Sequence, residues 1–217
     1  MNFLPEALLA PLTVPAWAIG AWRRTLLEWD DGEDRSTDVL YLQTPVLFGD
    51  IRIPTRSTDA SEGFAGHAAV TGRICRWHRP IDIRPKGGDG DVGAVYRRGD
   101  RMIECGVYTN YLEDWRLVGH SGRYFAASRG AVTVDAGGIY WPPHGPLEIL
   151  VAVGDQMIHA WRSADSAGVV AGLLDPSGRW SAKKRAGSAM PPPAPDDWTV
   201  WSSRIGADVA ERILSGL

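Results

Sequence analysis

The fold is decided by residues 38–54, DVLYLQTPVLFGDIRIP, in which two short runs rich in β-branched and aromatic residues follow one another. The first run, residues 38–43, stops at Thr44-Pro45, and the second, residues 47–53, ends before Pro54. Proline cannot donate the backbone hydrogen bond that a strand ladder needs, so it marks strand ends. The stretch therefore predicts two consecutive short strands.

The same pattern extends over the rest of the chain, which has 25 Gly and 15 Pro at short intervals. It predicts hairpin turns at residues 97–101 and 154–155, and a short amphipathic helix within residues 205–217. Residues 183–197 are rich in Pro and Ala and are typical of a linker or surface loop. Many short strands without long helices indicate an all-β antiparallel meander. Further strands are predicted at residues 21–29, 66–77, 81–83, 93–96, 102–108, 112–118, 124–128, 131–135, 147–153, 156–163 and 168–174.

Length and charge limit the domain organisation and the partners. A chain of 217 residues is long enough for one large β domain or two small halves, which we expect at 1–120 and 121–217 unless they form one continuous domain. The net charge of −3 gives no basic field for nucleic acid or an anionic membrane. We expect a small-molecule ligand. The sequence leaves open whether the protein forms a homodimer.

The compartment is predicted from the amino terminus and the cysteines. Residues 1–6 lack a basic segment followed by a long apolar one, and no run approaches 18 apolar residues. Two cysteines, Cys75 and Cys105, do not resemble a disulfide framework, although the sequence leaves a single pair open, and they lack a metal-binding spacing. We therefore expect a cytoplasmic protein with both thiols reduced.

Gly20-Ala21-Trp22 opens the first predicted strand and resembles the Gly-x-Trp signature of lipocalins and their calycin relatives. The resemblance implies a tight entry at the Gly and a barrel base closed by the Trp. Residues 38–54 are similar to a little-characterised family containing a fungal protein-kinase-interacting protein, whose fold is a pair of lipocalin-like barrels. The similarity covers residues 20–118 and implies one or two such barrels with a short C-terminal helix. It implies no established reaction.

Strand alternation selects the first candidate binding residues. In residues 47–53, Asp50 and Arg52 share a face with Phe48. If that face is internal, a carboxylate and a guanidinium can hold the polar end of a ligand, and otherwise they form an ion pair on the outer wall. The chain has ten Trp residues, and Trp77, Trp115 and Trp161 are candidate walls of a pocket, although a Trp-rich core explains them equally.

The densest mixture of carboxylates and aromatic rings follows at residues 102–115. Glu104 and Tyr108 share one strand face, whereas residues 103, 105 and 107 form the other face, which we expect to be the drier one. Tyr111 and Trp115 follow on the next strand. A carboxylate against aromatic walls has a raised pKa and can act as a general acid or base, and a hydrogen-bond network at a barrel rim is the alternative.

His159 shares a predicted strand face with Met157 and Trp161, so it is either a catalytic base or a satisfied core residue. The five His residues show no zinc spacing, and no nucleophile elbow or nucleotide-binding loop follows a strand. We therefore expect no metal and no cofactor.

Two functions remain open. The first is binding of a small, partly apolar molecule in a Trp-lined barrel cavity. The second is a cofactor-independent lyase, hydratase or isomerase that uses a carboxylate/Tyr acid–base pair in the same cavity. Protein docking, which the related fungal protein suggests, has less support. The candidate catalytic residues are Glu104, Tyr108 and His159, and the candidate ligand-binding residues are Asp50, Arg52, Trp77, Tyr111, Trp115 and Trp161.

Overall fold

The computed structural model describes residues 1–56, 60–85, 91–120, 122–135, 138–189 and 197–217. Helix α1 (Glu6–Leu9) continues as the 3-10 turn Ala10–Leu12, and helix α2 (Ala207–Ser215) lies near the C-terminal end. No helix in these ranges is long and apolar enough to cross a membrane.

The prediction of an antiparallel all-β fold with a short C-terminal helix is confirmed. The strands are β1 (Asn2–Phe3), β2 (Gly20–Trp29), β3 (Gly32–Asp34), β4 (Asp38–Gln43), β5 (Leu47–Ile53), β6 (Glu62–Thr71), β7 (Ile74–Asp82), β8 (Asp91–Arg98), β9 (Arg101–Gly106), β10 (Tyr111–Gly119), β11 (Tyr124–Gly130), β12 (Thr133–Asp135), β13 (Gly138–Tyr140), β14 (Leu147–Val153), β15 (Gln156–Arg162), β16 (Ala167–Leu174), β17 (Trp180–Gly187) and β18 (Thr199–Ser203).

Eight of the described strands form a closed antiparallel barrel in the order β2-β4-β5-β6-β7-β8-β9-β10. The barrel closes because β10 pairs with β2, with Tyr111 opposite Trp29 and Leu117 opposite Trp22. A register shift between Asp114 and Trp115 bends this seam. Closure pairs the long edges of the sheet and leaves an interior lined by alternate residues of each strand.

Trp22 lies at the start of β2 and packs among the inner residues of the barrel. The side chain is fully buried, and its Nε1–H donates to the carbonyl oxygen of Ala18 at 3.1 Å. The guanidinium of Arg97 lies 5.5 Å from the Trp22 ring centroid and donates to the carbonyl oxygen of Trp17 at 2.6 Å. These contacts hold the segment before β2 at this end of the barrel. The opposite end, where β9 ends at Gly106 and β10 begins at Tyr111, is here called the mouth.

A second sheet covers one side of the barrel, in the order β1-β18-β11-β14-β15-β16-β17 within the described residues. Its strands are antiparallel apart from β1, which runs parallel to β18. The inner face packs alternate residues such as Ile149 and Ile158 against Leu42 and Ile51 of the barrel wall. The outer face carries Leu150 and residues of α2, including Ile213. The second sheet thus separates two apolar layers, and the inner residues of the barrel, which include Tyr41 and Phe48, form a third.

Three local predictions differ from the structure. Residues 66–77 were expected to form one strand, but the chain turns after Thr71 at Gly72, whose φ of +62° favours glycine. Residues 183–187 belong to β17 and are not part of a linker, while 190–196 lie outside the described residues. The basic side chains of β17 suit an edge strand, where charge discourages further pairing. The strand predicted at residues 131–135 begins at Thr133 in the structure.

The histidines on the outer barrel wall predict acid sensitivity. The rings of His67 and His78 stack with centroids 4.4 Å apart, and the Nε1–H of Trp141 donates to Nδ1 of His67 at 2.9 Å. Burial, and then the charge that His78 would carry, lowers the pKa of His67 to about 3. The unfolded state therefore binds this proton first, so stability present above pH ~6.5 is lost as the pH falls toward the folded-state pKa.

We expect the free energy of unfolding to fall by at most about 2 kcal/mol between pH 6.5 and pH 5 through His67. Urea unfolding at a series of pH values measures this slope. The variant His67→Gln keeps an acceptor for Trp141 but does not titrate, so its slope should be smaller than that of the wild type. Parallel curves for the two proteins would contradict the assignment.

Candidate functional site

The barrel interior combines aromatic rings with charged side chains near the mouth. Alternation places Asp50 and Arg52 of β5, Trp77 of β7 and Glu104 of β9 on inward-facing positions. The cavity between these groups measures about 280 Å³ out to its open mouth, but only about 20 Å³ is wide enough for solvent, which is room for one or two waters. Its lining comprises Tyr41, Asp50, Arg52, Phe64, Trp77, Asp91, Met102, Glu104 and Trp115.

Asp50 and Arg52 form the ion pair at the centre of the cavity wall. Arg52 Nε donates to Asp50 Oδ1 at 3.0 Å, and its Nη1 lies 3.8 Å from Oε1 of Glu113. Asp50 is 1 % exposed, and burial raises the pKa of its carboxyl group against the opposing effect of the Arg52 charge. Of the two arrangements left open by the sequence, the internal one is therefore found.

Glu104 is the second buried carboxyl group that faces the cavity. Its Oε1 accepts a hydrogen bond of 2.7 Å from the hydroxyl of Tyr111, and Glu113 lies directly opposite it on β10. Burial, and then the neighbouring Glu113 carboxylate, raises the pKa of Glu104 well above its ordinary value. A carboxyl group in this setting can hold a proton near neutral pH and release it to a base or in exchange for a cation.

The aromatic part of the cavity leaves one donor unused. The Nε1–H of Trp77 donates to the hydroxyl of Tyr41 at 3.0 Å, and that hydroxyl donates in turn to Oε1 of Gln43. Trp115 lies 5.9 Å from the Tyr41 ring and is 2 % exposed, but its Nε1–H has no acceptor among the described residues. A buried donor without a partner is costly, so a bound molecule or water that accepts from it would be favoured.

Arginines at the mouth complete the site and were not predicted from the sequence. The guanidinium of Arg79 lies 3.5 Å from the Phe64 ring centroid and pairs with Asp91. Deeper in the wall, Arg24 bridges Glu113 at 2.8 Å and Asp34 at 2.9 Å. For Arg24 and its partner Glu113, position relative to a buried Trp was the available signal in the sequence. Arg24 follows the inward Trp22 by two residues, and Glu113 precedes the inward Trp115 by two.

Four predicted site residues do not line the cavity. One of them, Tyr111, meets it only through its hydrogen bond to Glu104. Tyr108 lies beyond the end of β9 at Gly106 and is 63 % exposed. His159 and Trp161 lie in β15, on the face of the second sheet that points away from the barrel. The expectation that residues 103, 105 and 107 form the drier face of β9 is wrong, since Met102 and Glu104 are the buried ones and Val107 is 42 % exposed.

His159 belongs to a separate buried cluster, here called the outer cluster and defined by Arg129, Glu148, His159, Trp161 and Trp198. Oε1 of Glu148 accepts from Arg129 Nε at 3.1 Å and Nη2 at 2.7 Å, and its Oε2 lies 3.0 Å from His159 Nε2. The Arg129 guanidinium lies 4.7 Å from the Trp198 ring. The Glu148 carboxylate thus orients the His159 imidazole. The same arrangement is typical of structural ion-pair networks as well as of catalytic ones.

Comparison with known proteins supports the fold and leaves the family unassigned. No family model matches this chain, and no curated protein matches it. The structure is similar to that of an uncharacterised protein from Saccharomyces cerevisiae, with a TM-score of 0.60 and 12% sequence identity over 85% of this chain and 98% of the yeast chain. The similarity shows a shared fold. The closed eight-stranded barrel of the described residues fits a calycin-like fold.

Proposed function

We propose that the barrel binds a small, partly apolar molecule whose polar end contacts Glu104 and whose body lies against Trp77, Tyr41 and Trp115. The observation that carries this proposal is the burial of Glu104 beside a second carboxyl group, in a cavity whose Trp115 indole N–H has no acceptor in the described part of the chain. Such groups lower stability, and proteins retain destabilising groups chiefly where function requires them.

The narrow cavity limits the ligand to a compact molecule. The space wide enough for solvent holds one or two waters, so a ligand of more than a few atoms must displace side chains or lie partly in the mouth. Met102 lines the cavity, and its flexible thioether can change rotamer at little cost. The aromatic walls and charged groups are already in place, which reduces the ordering that binding requires.

A ligand screen with a steric control tests this proposal. Native mass spectrometry would identify molecules that co-purify, and thermal shifts with compact amines, alcohols and acids would detect binding. A Cβ at Gly93 would lie 2.9 Å from Cγ of Glu104 and 3.2 Å from the Trp77 ring. Gly93→Ala should therefore reduce the thermal shift, whereas Ala94→Ser on the other face of β8 should not. Equal shifts in both variants, or none with any compound, would refute a barrel ligand.

A lyase, hydratase or isomerase remains the second candidate because of the Glu104–Tyr111 hydrogen bond. This pair, and not Glu104 with Tyr108, supplies the carboxylate and phenol within reach of one cavity. If the barrel is an enzyme, Glu104 exchanges the proton and Tyr111 positions the carboxyl group. Tyr111→Phe would then lower kcat and shift the pH profile on a substrate found by the screen, whereas a binding protein would leave the ligand unchanged after incubation.

We also propose that the barrel is a calycin and that the protein acts in the cytoplasm. Support for the first is Gly20-Ala21-Trp22 at the start of β2, where Trp22 is fully buried. Support for the second is that the thiols of Cys75 and Cys105 are free in the structure.

A further inference from the structure

The charges that line the barrel cavity are unequal. Three carboxyl groups line it, those of Asp50, Asp91 and Glu104, against the single guanidinium of Arg52. Asp50 pairs with Arg52, and Asp91 pairs with Arg79. Within the described chain, Glu104 has no cationic side chain within 4.0 Å, and its hydrogen bond comes from a neutral phenol. A positive group in the ligand would therefore complete the set of charge pairs.

The rings around Glu104 also favour a cation over an anion. Tyr41, Phe64, Trp77 and Trp115 line the same cavity, and the negative faces of aromatic rings attract positive groups. The barrel already uses this interaction, since the guanidinium groups of Arg79 and Arg52 lie 3.5 Å and 5.0 Å from the Phe64 ring centroid. A carboxylate ligand would face the same rings and two or more carboxyl groups of like charge.

An acceptor atom is required as well, because Trp115 Nε1–H is buried and has no partner among the described residues. Met102 pairs directly with Trp115 across β9 and β10, so Glu104 is the diagonal neighbour of Trp115. Diagonal neighbours on one face of an antiparallel pair are about 7–8 Å apart, which a single small molecule can bridge. One end of the ligand would meet the carboxyl group and the other end the indole.

We infer that the barrel ligand is a small organic ammonium that carries a hydroxyl or carbonyl oxygen, with the ammonium at Glu104 and the oxygen at Trp115. This inference rests on the proposed ligand-binding function and names the chemical class. An ammonium donates hydrogen bonds to the carboxylate, while the oxygen accepts from the indole N–H. The short carbon chain between them contacts Tyr41 and Trp77.

Ethanolamine is the probe that carries both the ammonium group and the hydroxyl oxygen. Three compounds of similar size each change one of these two features. Propylamine lacks the oxygen, 1,2-propanediol lacks the charge, and glycolate reverses it. We expect ethanolamine to bind most tightly, propylamine less tightly, and the diol and glycolate weakly. A ligand of four heavy atoms can reach a Kd of roughly 10–100 µM at best, so titrations must extend to millimolar concentration. The indole N–H signal of Trp115, assigned in NMR spectra through Trp115→Phe, should shift with ethanolamine.

Two variants assign the ends of the ligand. Glu104→Gln should weaken ethanolamine binding by about tenfold or more, and the exposed control Glu33→Gln should leave the Kd unchanged. Trp115→Phe should abolish the preference for ethanolamine over propylamine while both still bind. Near-wild-type melting temperatures confirm that each variant is folded. If Glu104→Gln does not fold, the order of the four compounds on the wild type still decides the charge class.

The pH dependence supplies an independent readout. Glu104 faces Glu113 and Tyr111 of β10, Asp91 of β8, and Arg52 of β5. Ammonium binding requires its carboxylate form, and burial raises the pKa of Glu104, so affinity should rise with pH above the range in which an exposed Glu ionises, and the rise should be absent in Glu104→Gln. Tighter binding of glycolate or the diol, blocked by Gly93→Ala, would overturn the charge class and leave the proposed function standing. No binding of any compound would overturn both.

Discussion

Replacing Arg24 by methionine is expected to lower the free energy of unfolding by about 3–5 kcal/mol. The Arg24 side chain is 4% exposed and bridges Glu113 at 2.8 Å and Asp34 at 2.9 Å. Methionine fills a similar volume but leaves the two carboxylates without their shared cation. Breaking a buried ion pair from one side is costly because the remaining charge stays buried.

The adjacent residue provides a matched control for this substitution. Arg23 pairs with Asp38, but the two side chains are 41% and 38% exposed. Solvent screens such a pair, so Arg23→Met should cost no more than about 1 kcal/mol. Urea unfolding of both variants at pH 7 measures the difference. Equal losses would show that Arg24 contributes only a surface ion pair and that the polar barrel interior is not a stabilised network.

Most of the barrel could be predicted because strand alternation and turns are local properties of the chain. The two strands in residues 38–54 have the predicted bounds, and Phe48, Asp50 and Arg52 share the predicted face. Turns at Gly99 and Gly154, where φ is +63°, were marked by glycine itself. These features depend on a few neighbouring residues, so sequence pattern is sufficient for them.

Which face of a strand lies inside the barrel depends on distant residues, and there the prediction was wrong for β9. Apolar residues at 103 and 105 suggested a dry face, but Glu104 is the buried residue, and Tyr111 of the next strand donates a hydrogen bond to it. Arg24 and Glu113 were missed for the same reason. A single charged residue is usually exposed, and only closure of the barrel brings the two together.

The sequence prediction placed Glu104, which lies in the barrel cavity, and His159, which lies in the outer cluster, in one site. The reason is the topology of the chain. Glu104, Tyr108 and His159 were grouped by residue type, but β9 ends at Gly106, where a Cβ would lie 2.0 Å from the carbonyl oxygen of Thr109. The chain turns back so closely that Tyr108 points to solvent. His159 lies in a strand of the second sheet, and no local pattern predicts on which face of that sheet the barrel packs.

The outer cluster gives the second large effect. Glu148→Gln is expected to lower the free energy of unfolding by about 3–5 kcal/mol, since Arg129 and His159 would lose the carboxylate that both contact. The Glu148 side chain is 5% exposed, and that of Arg129 is 14% exposed. The control is Asp208→Asn on α2, whose pair with Arg212 is exposed and screened by solvent, so this substitution should leave stability nearly unchanged.

The same variant decides whether the outer cluster acts with the barrel cavity. Glu148 alternates with Ile149 along β14, and Ile149 packs toward the barrel while Glu148 packs away from it. A cluster that only stabilises the second sheet should leave the Kd of a barrel ligand unchanged under conditions in which Glu148→Gln is folded. Affinity measured for wild type, Glu148→Gln and Glu104→Gln separates the two cases. A loss of binding in Glu148→Gln comparable to that in Glu104→Gln would show that the cluster and the cavity form one coupled site, as the grouping of His159 with Glu104 by residue type suggested.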